Sequence, residues 1–533
     1  MELKGIGVGS QAAVGNVFLL ATSESVYEAR NSERSPDQEG SILRTAIATT
    51  AETIREEAAL ADKESRDIIS ALLVMLEDPE LTQMAEPHLK EGLDAPTALF
   101  KALDDLEDLM ESDQDFVSRV ADLRGVAAKI SAWIRGIAAG PEIPSEGTWV
   151  IVADDLTPLE TSRFGKSVVG VITALGGPTS HTAIICRSLG IPALLSCKNA
   201  MELSQDTSIL VDPQGNRAVP GGDLSIATAA ISFVPQSSSP LIKVRANIGN
   251  SDDASKAAKT EARGVGLFRT EVLYLSQQKA PEVKEQVEIL SETMKLAPAG
   301  KILVRTIDAG SDKPVPFLSF GNEENPALGV RGFRITKEYE HFQRSQLEAI
   351  QHAIELTGRD VGVMVPMIST VSEVRQFRNI AEQVGISKIG IMIETPAIIP
   401  MLSELRGLID FLSIGTNDLS QYLFAADRLN PLLAELNDPW QPALIRSIKT
   451  IVEGSNSIGI PAGICGESAA NPLLAIVFAG LGVDSVSVAP SSVKEVWKAL
   501  SSVSKETAQE VANLVLLAET ARGAEKSVRD FLS

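Results

Sequence analysis

The order of apolar and polar positions divides this chain into stretches that differ in period. Residues 1 to 20 read as two short strands around a Gly-rich turn, the clearer being Val14 to Leu20. From 22 to 138 apolar residues recur at spacings of three and four, with few glycines. This period predicts helices over Ser41 to Ala61, Ser65 to Leu76, Leu81 to Glu91, Ala95 to Met110 and Asp115 to Ile137, that is, a helical bundle. Beyond Pro141, strand-like runs follow at Trp149 to Val152, Val168 to Thr173 and Ile209 to Val211. Together with the N-terminal strands they predict a small α/β domain, with the bundle as an insertion.

After Ser237-Ser238-Ser239-Pro240, which reads as a boundary, strands alternate with helical stretches eight times. The runs are Lys243 to Ile248, Val265 to Phe268, Ile302 to Thr306, Val361 to Met367, Ile389 to Ile393, Phe411 to Ile414, Pro461 to Ile464 and Val483 to Val488. That alternation predicts a (β/α)8 barrel of the TIM type, whose site-forming residues lie at the carboxyl ends of the strands. The expected organisation is a multidomain α/β protein: 1–21 with 139–231, the inserted bundle 22–138, a linker 232–243, and a barrel over 244–533.

Composition narrows the function classes. A chain of 533 residues exceeds one core, and a formal charge of −22 argues against nucleic acid and for a basic protein partner. Part of that charge is the run Asp104, Asp105, Glu107, Asp108, Glu111, Asp113 and Asp115 in the bundle. It reads as a solvated face or as a docking surface for a basic partner. Cys186, Cys197 and Cys465 show no paired or zinc-type spacing. With no apolar run long enough to cross a bilayer, they point to a reducing, cytoplasmic setting without membrane insertion. The Gly5-Ile6-Gly7-Val8-Gly9 run lacks the third glycine and the helix of a dinucleotide fingerprint.

Of the four histidines, His181 stands out. It follows Gly176-Gly177-Pro178 and opens an apolar helix-like run, among the hydroxyls of Thr179, Ser180 and Thr182. A Gly-rich turn allows close backbone approach, and a helix start attracts anions, so a phosphate on this imidazole would be stabilised where it forms. The same stretch could also be an ordinary capped helix start.

The strand ends of the barrel supply a second constellation: Arg269 and Glu271, Arg305 and Asp308, Glu394, Asn417 and Asp418, Arg428, and Cys465. Converging arginines match phosphate and carboxylate oxygens, and two carboxylates can hold a divalent metal while leaving it room for water and substrate. Cys465 is either a small buried hydrophobe or, at the barrel mouth, a thiol that gives or takes a proton at carbon.

These motifs together resemble Enzyme I of the bacterial phosphoenolpyruvate-dependent sugar phosphotransferase system. The resemblance runs nearly end to end: GGPTSHTAIICRSLGIPA at Gly176 to Ala193, GVGLFRTEVL at Gly264 to Leu273, VRTIDAGSDK at Val304 to Lys313, NPALGVR at Asn325 to Arg331, IMIETPA at Ile391 to Ala397, FLSIGTNDLSQY at Phe411 to Tyr422 and GICGE at Gly463 to Glu467. It implies autophosphorylation of His181 by phosphoenolpyruvate, release of pyruvate, and transfer to a histidine of the phosphocarrier HPr. By the same resemblance Arg269, Arg305, Asn417, Asp418 and Arg428 bind phosphoenolpyruvate, Glu394 and Asp418 hold Mg2+, and Cys465 protonates enolpyruvate. A homodimer formed through the barrel is also implied. Pro178, Cys186, Leu429, Leu72 and the pair Ser10-Gln11 depart from the common pattern without removing a catalytic group. The alternatives are a pyruvate-phosphate dikinase or phosphoenolpyruvate synthase relative, which would need an ATP-binding domain ahead of the histidine, and a non-catalytic regulatory module.

Overall fold

The computed structural model describes residues 2–9, 11–20, 29–60, 73, 75–109, 114–136, 143–161, 164–176, 180–227, 231, 233–274, 277–310, 315–318, 321, 323–428, 430 and 433–533. The chain forms two compact units, Met1–Ala230 and Ile231–Ser533.

In the first unit eight strands form one mixed sheet in the order β1-β8-β7-β3-β4-β5-β6-β2. They are β1 (Leu3–Lys4), β2 (Ile6–Val8), β3 (Ala13–Leu19), β4 (Trp149–Ala153), β5 (Val168–Thr173), β6 (Ala193–Leu195), β7 (Ser208–Asp212) and β8 (Arg217–Pro220). The sequence-derived strands are all present. Ala193–Leu195 and Arg217–Pro220 were missed because runs this short carry no period of two to read. The N-terminal strands are integral to the sheet: β3 pairs in parallel with β4 and antiparallel with β7. Alternation along β4 sends Val150 and Val152 into one core and Ile151 and Ala153 into the other, so the sheet is covered on both faces.

The helices Pro36–Leu60, Pro79–Lys90, Ala95–Leu109 and Gln114–Arg135 form the bundle around a core of their own that includes Leu43, Leu76, Leu99, Leu103 and Leu123. The helix expected at Ser65 to Leu76 lies for the most part outside the described residues. The acidic run is less free than composition suggests. Arg124 bridges Asp104 and Glu107 at 2.8 and 2.7 Å, and His88 meets Asp105 at 2.7 Å.

The second unit holds a closed, all-parallel barrel of eight strands. They are β9 (Lys243–Ile248), β10 (Val265–Arg269), β11 (Ile302–Arg305), β12 (Val361–Val365), β13 (Ile389–Ile393), β14 (Phe411–Ile414), β15 (Ala462–Ile464) and β16 (Ser485–Val488). Residues pointing outward, such as Val244, Ala246, Val304 and Ile391, pack against the helices in one large core. The barrel interior is filled by Leu267, Leu303, Met364, Met392, Phe411 and Cys465. Gly362 leaves space for the Phe411 ring, since a Cβ there would meet Cε1 at 2.7 Å. Residues 236–241 are fastened to this unit: the N–H groups of Gln236 and Leu241 donate to the carbonyls of Ser501 and Leu500. Among the described residues no helix is long and apolar enough to cross a membrane.

Candidate active site

His181 is the first residue of the helix His181–Leu189. Ser180 caps that helix, its hydroxyl accepting from the Ala183 N–H at 3.3 Å, and Gly190 closes it in the left-handed region at φ 70°. The chain enters through Gly176, whose φ of 86° is one that a glycine adopts without strain. Gly177, Pro178 and Thr179 lie outside the described residues, as do Leu72, Ser10 and Leu429. Thr182, one of the hydroxyls flanking His181 in the sequence, is buried. Its hydroxyl lies 3.3 Å from both the Leu156 carbonyl and Asp155 Oδ1. At the second position of a helix packed on the sheet, that side chain is committed to the core.

The barrel site is built at the carboxyl ends of the strands. Arg305, the last residue of β11, is 5 % exposed and faces three carboxylates. It donates to Glu271, and its Nη1 lies 3.1 Å from Asp308 and 3.8 Å from Glu394. These neighbours outweigh burial and hold its pKa above the ordinary arginine range. Its Nε and the Oε2 of Glu271 are shut off from solvent with no partner among the described residues, so these leave one donor and one acceptor still to be matched.

Glu394 follows β13 and is almost wholly buried; its Oε2 accepts from the Met367 N–H at 2.9 Å. Burial first, then the proximity of Asp418 and Asp308, pushes its pKa up to about 7, against the opposing pull of Arg305 and Arg331. Gly415 allows this approach, since a Cβ there would meet Glu394 Cγ and Oε1 at 2.8 Å. Asp418 lies in the first turn of the helix Thr416–Phe424, within 3.1 Å of Arg331 and 3.6 Å of Arg428. Two carboxylates, Glu394 and Asp418, present hard oxygens that fit a divalent cation such as Mg2+.

Cys465, one residue past β15, is 2 % exposed. Ser413 donates to its Sγ at 3.1 Å, and burial pushes the thiol pKa up to about 11, so it stands as a proton donor at neutral pH. Glu394, Arg305 and Arg269 all contribute to its electrostatic surroundings. The exposed Arg269 ends β10, while the Asn417 amide oxygen accepts from the Glu467 N–H at 3.1 Å. One mouth thus brings together Arg305, Glu394, Asp418, Arg428, Cys465 and Arg269, with Asn417 beside Asp418 on the same helix.

The sequence reading assigned no role to Arg331 or Gln346. Arg331 is fully buried, grips both oxygens of Asp308 at 3.2 and 3.0 Å through Nη2, and reaches Asp418 through Nη1. It sets the distance between two carboxylates from different strand ends. An arginine inside the Gly- and Pro-rich run Asn325 to Arg331 was the available signal. Gln346, from the helix Thr336–Thr357, ties β10 to β11. Its Oε1 accepts from the Ile307 N–H at 2.9 Å, and its Nε2 donates to Thr270 at 3.1 Å and Tyr274 at 3.0 Å. Thr270 in turn donates to the Arg305 carbonyl at 2.8 Å. Nothing in its local sequence separates it from Gln343 or Gln351.

Three family descriptions match: PEP-utilising enzyme, N-terminal, over residues 4–119; mobile domain, over 145–215; and PEP-binding domain, over 233–505. A Streptomyces coelicolor protein named phosphoenolpyruvate-protein phosphotransferase is 34% identical over 552 residues, covering 100% of this chain and 99% of that protein. A Mycoplasma pneumoniae protein of the same name is 31% identical, covering 99% and 98%. The solution structure of an Enzyme I protein (nEIt) is 29% identical and covers 42% of this chain and 94% of its own, with a TM-score of 0.35.

Proposed function

The chain belongs to the PEP-utilising enzymes, and from that premise we propose that it is a phosphoenolpyruvate-protein phosphotransferase that autophosphorylates on His181. The observation that carries the reading is the barrel mouth. Cations for a phosphate and a carboxylate, two oxygen ligands for a metal, and a protonated thiol converge at the ends of β10, β11, β13 and β15 and the helix after β14.

Arg269, Arg305 and Arg428 bind the charged groups of phosphoenolpyruvate, with Asn417 and Asp418 completing the cradle. Arg305 holds its charge among Glu271, Asp308 and Glu394, so it meets the substrate already oriented. Glu394 and Asp418 would hold Mg2+, which when bound would supply positive charge for the transferring phosphoryl group. Neutral His181 attacks phosphorus in line, and the bond to the enol oxygen breaks. Cys465 then gives its proton to the methylene carbon of the enolate, which leaves as pyruvate. The phosphohistidine passes its phosphoryl group to a histidine of HPr. We assign HPr docking to the acidic helices of 22–138, where Arg124 already neutralises part of the charge, and a cytoplasmic homodimer formed through the barrel completes the reading.

The test is incubation with radiolabelled phosphoenolpyruvate or ATP, with and without Mg2+, followed by HPr. Acid-labile label from phosphoenolpyruvate alone, dependent on Mg2+ and chased onto HPr, is expected. Label from ATP would favour a dikinase, and no label from either a binding module. His181→Ala should abolish labelling while leaving phosphoenolpyruvate binding; label on that variant would overturn the assignment.

A further inference from the structure

The opposite, amino-terminal mouth of the barrel carries two cations that the reaction does not use. Arg245 is the third residue of β9. Val244, Ala246 and Ile248 on either side of it belong to the outer core, so the alternation of the strand turns Arg245 and Asn247 into the barrel. Arg245 makes no hydrogen bond or close ion pair among the described residues, and its Nε is shut off from solvent. Its cross-strand neighbour on β16 is Ser487, 3 % exposed, whose hydroxyl is also buried without a partner among the described residues. Gly266 lets both side chains pack against its backbone, since a Cβ there would meet Ser487 Oγ at 2.5 Å and Arg245 Cβ at 3.3 Å.

Lys301 enters the same mouth from the start of β11, its ammonium 5.0 Å from the centre of the Phe411 ring. It forms no ion pair among the described residues, and burial, with Arg245 and Lys388 nearby, lowers its proton affinity. Carboxylates are present at this end but engaged elsewhere. Asp360 pairs with Lys388 at 2.6 Å, Asp410 accepts from the Ile389 N–H at 2.8 Å, and Asp484 accepts from the Ala462 N–H at 2.8 Å. They reach Arg245 and Lys301 only as longer-range attraction. A guanidinium cannot shed its proton, so a half-buried one needs a counter-charge or solvent.

We propose that this mouth binds a small oxyanion, phosphate or a carboxylate, between Arg245, Lys301 and Ser487. A guanidinium fork matches two such oxygens, the serine hydroxyl supplies a neutral donor, and the ammonium adds charge. The site lies at the other end of the barrel from Arg305 and Cys465, and the inference stands without the catalytic reading.

The full chain would be unfolded by heat at fixed ionic strength while inorganic phosphate and, separately, acetate are titrated; crystals would be soaked in bromide. Because Arg269 and Arg305 also attract phosphate, Arg245→Met, Lys301→Met and Arg269→Met are compared. Saturable stabilisation whose half-point weakens at least about tenfold in Arg245→Met and Lys301→Met, but persists in Arg269→Met, is expected. Bromide should appear against Arg245 and be lost from Arg245→Met. Ordered water alone at this position, equal stabilisation of all variants, or bromide at soaking concentration without stabilisation would each overturn the proposal.

Discussion

Replacing Gln346 by Leu tests whether the barrel site is held in place by a buried polar network remote from substrate. The side chain is fully buried and makes three hydrogen bonds, to the Ile307 N–H, Thr270 and Tyr274. Leu keeps the approximate volume and supplies none of them. The Ile307 N–H is left buried without an acceptor, a loss of about 1–3 kcal/mol. Thr270 and Tyr274 each lose only a bond they accept, because Thr270 still donates to Arg305 and Tyr274 to Gln286 at 2.9 Å. Those two bonds add about 0.5–1 kcal/mol each, for a total of roughly 2–5 kcal/mol. Urea unfolding followed by the fluorescence of Trp440 and Trp497, both in the barrel unit, reports that loss. Ile307 lies between Arg305 and Asp308, so the strand end should also move, and the KM for phosphoenolpyruvate should rise more than kcat falls. A loss below about 0.5 kcal/mol would refute the network argument. Full destabilisation with unchanged KM would leave Gln346 a purely structural residue.

Two further outcomes follow from the same geometry. Gly415→Ala places a Cβ 2.8 Å from Glu394 Oε1, and displacing that carboxylate should weaken Mg2+ activation about 10- to 100-fold; a titration indistinguishable from the parent would contradict the assigned role of Glu394. Burial pushes the thiol pKa up to about 12 at Cys186 and about 11 at Cys197 and Cys465, whereas an unfolded thiol titrates near about 8.5. The unfolded state therefore gives up these protons first, so stability present below about pH 8.5 is lost as pH rises toward about 11. Urea unfolding at pH 8, 9 and 10, with iodoacetamide labelling of the native protein, checks this; native thiols alkylated at pH 9 as fast as free cysteine would contradict it.

Much of this protein was legible in the order of its residues. Period-two and buried apolar runs marked the eight barrel strands to within a few residues, because a parallel strand covered on both faces must be nearly continuous in Val, Ile and Leu. The barrel rule then made Arg269, Arg305, Glu394, Asp418 and Cys465 candidates simply by their place at strand ends. Short strands such as Ala193–Leu195 were not legible, since three residues fix no period.

What only the tertiary structure decided were the pairings between residues far apart in the chain. Thr182 sits among hydroxyls in the sequence, yet its oxygen is used by Leu156 and Asp155. The acidic run reads as free charge until Arg124 folds back on it from the next helix. Arg331 becomes a clamp on Asp308 and Asp418, and Gln346 a tie between two strands, only when helix and barrel meet. Arg245 becomes a half-buried cation only because the barrel closes over it. Local sequence sets period and propensity, but whether a polar group is desolvated, paired or left facing a ligand depends on which distant groups share its low-dielectric surroundings.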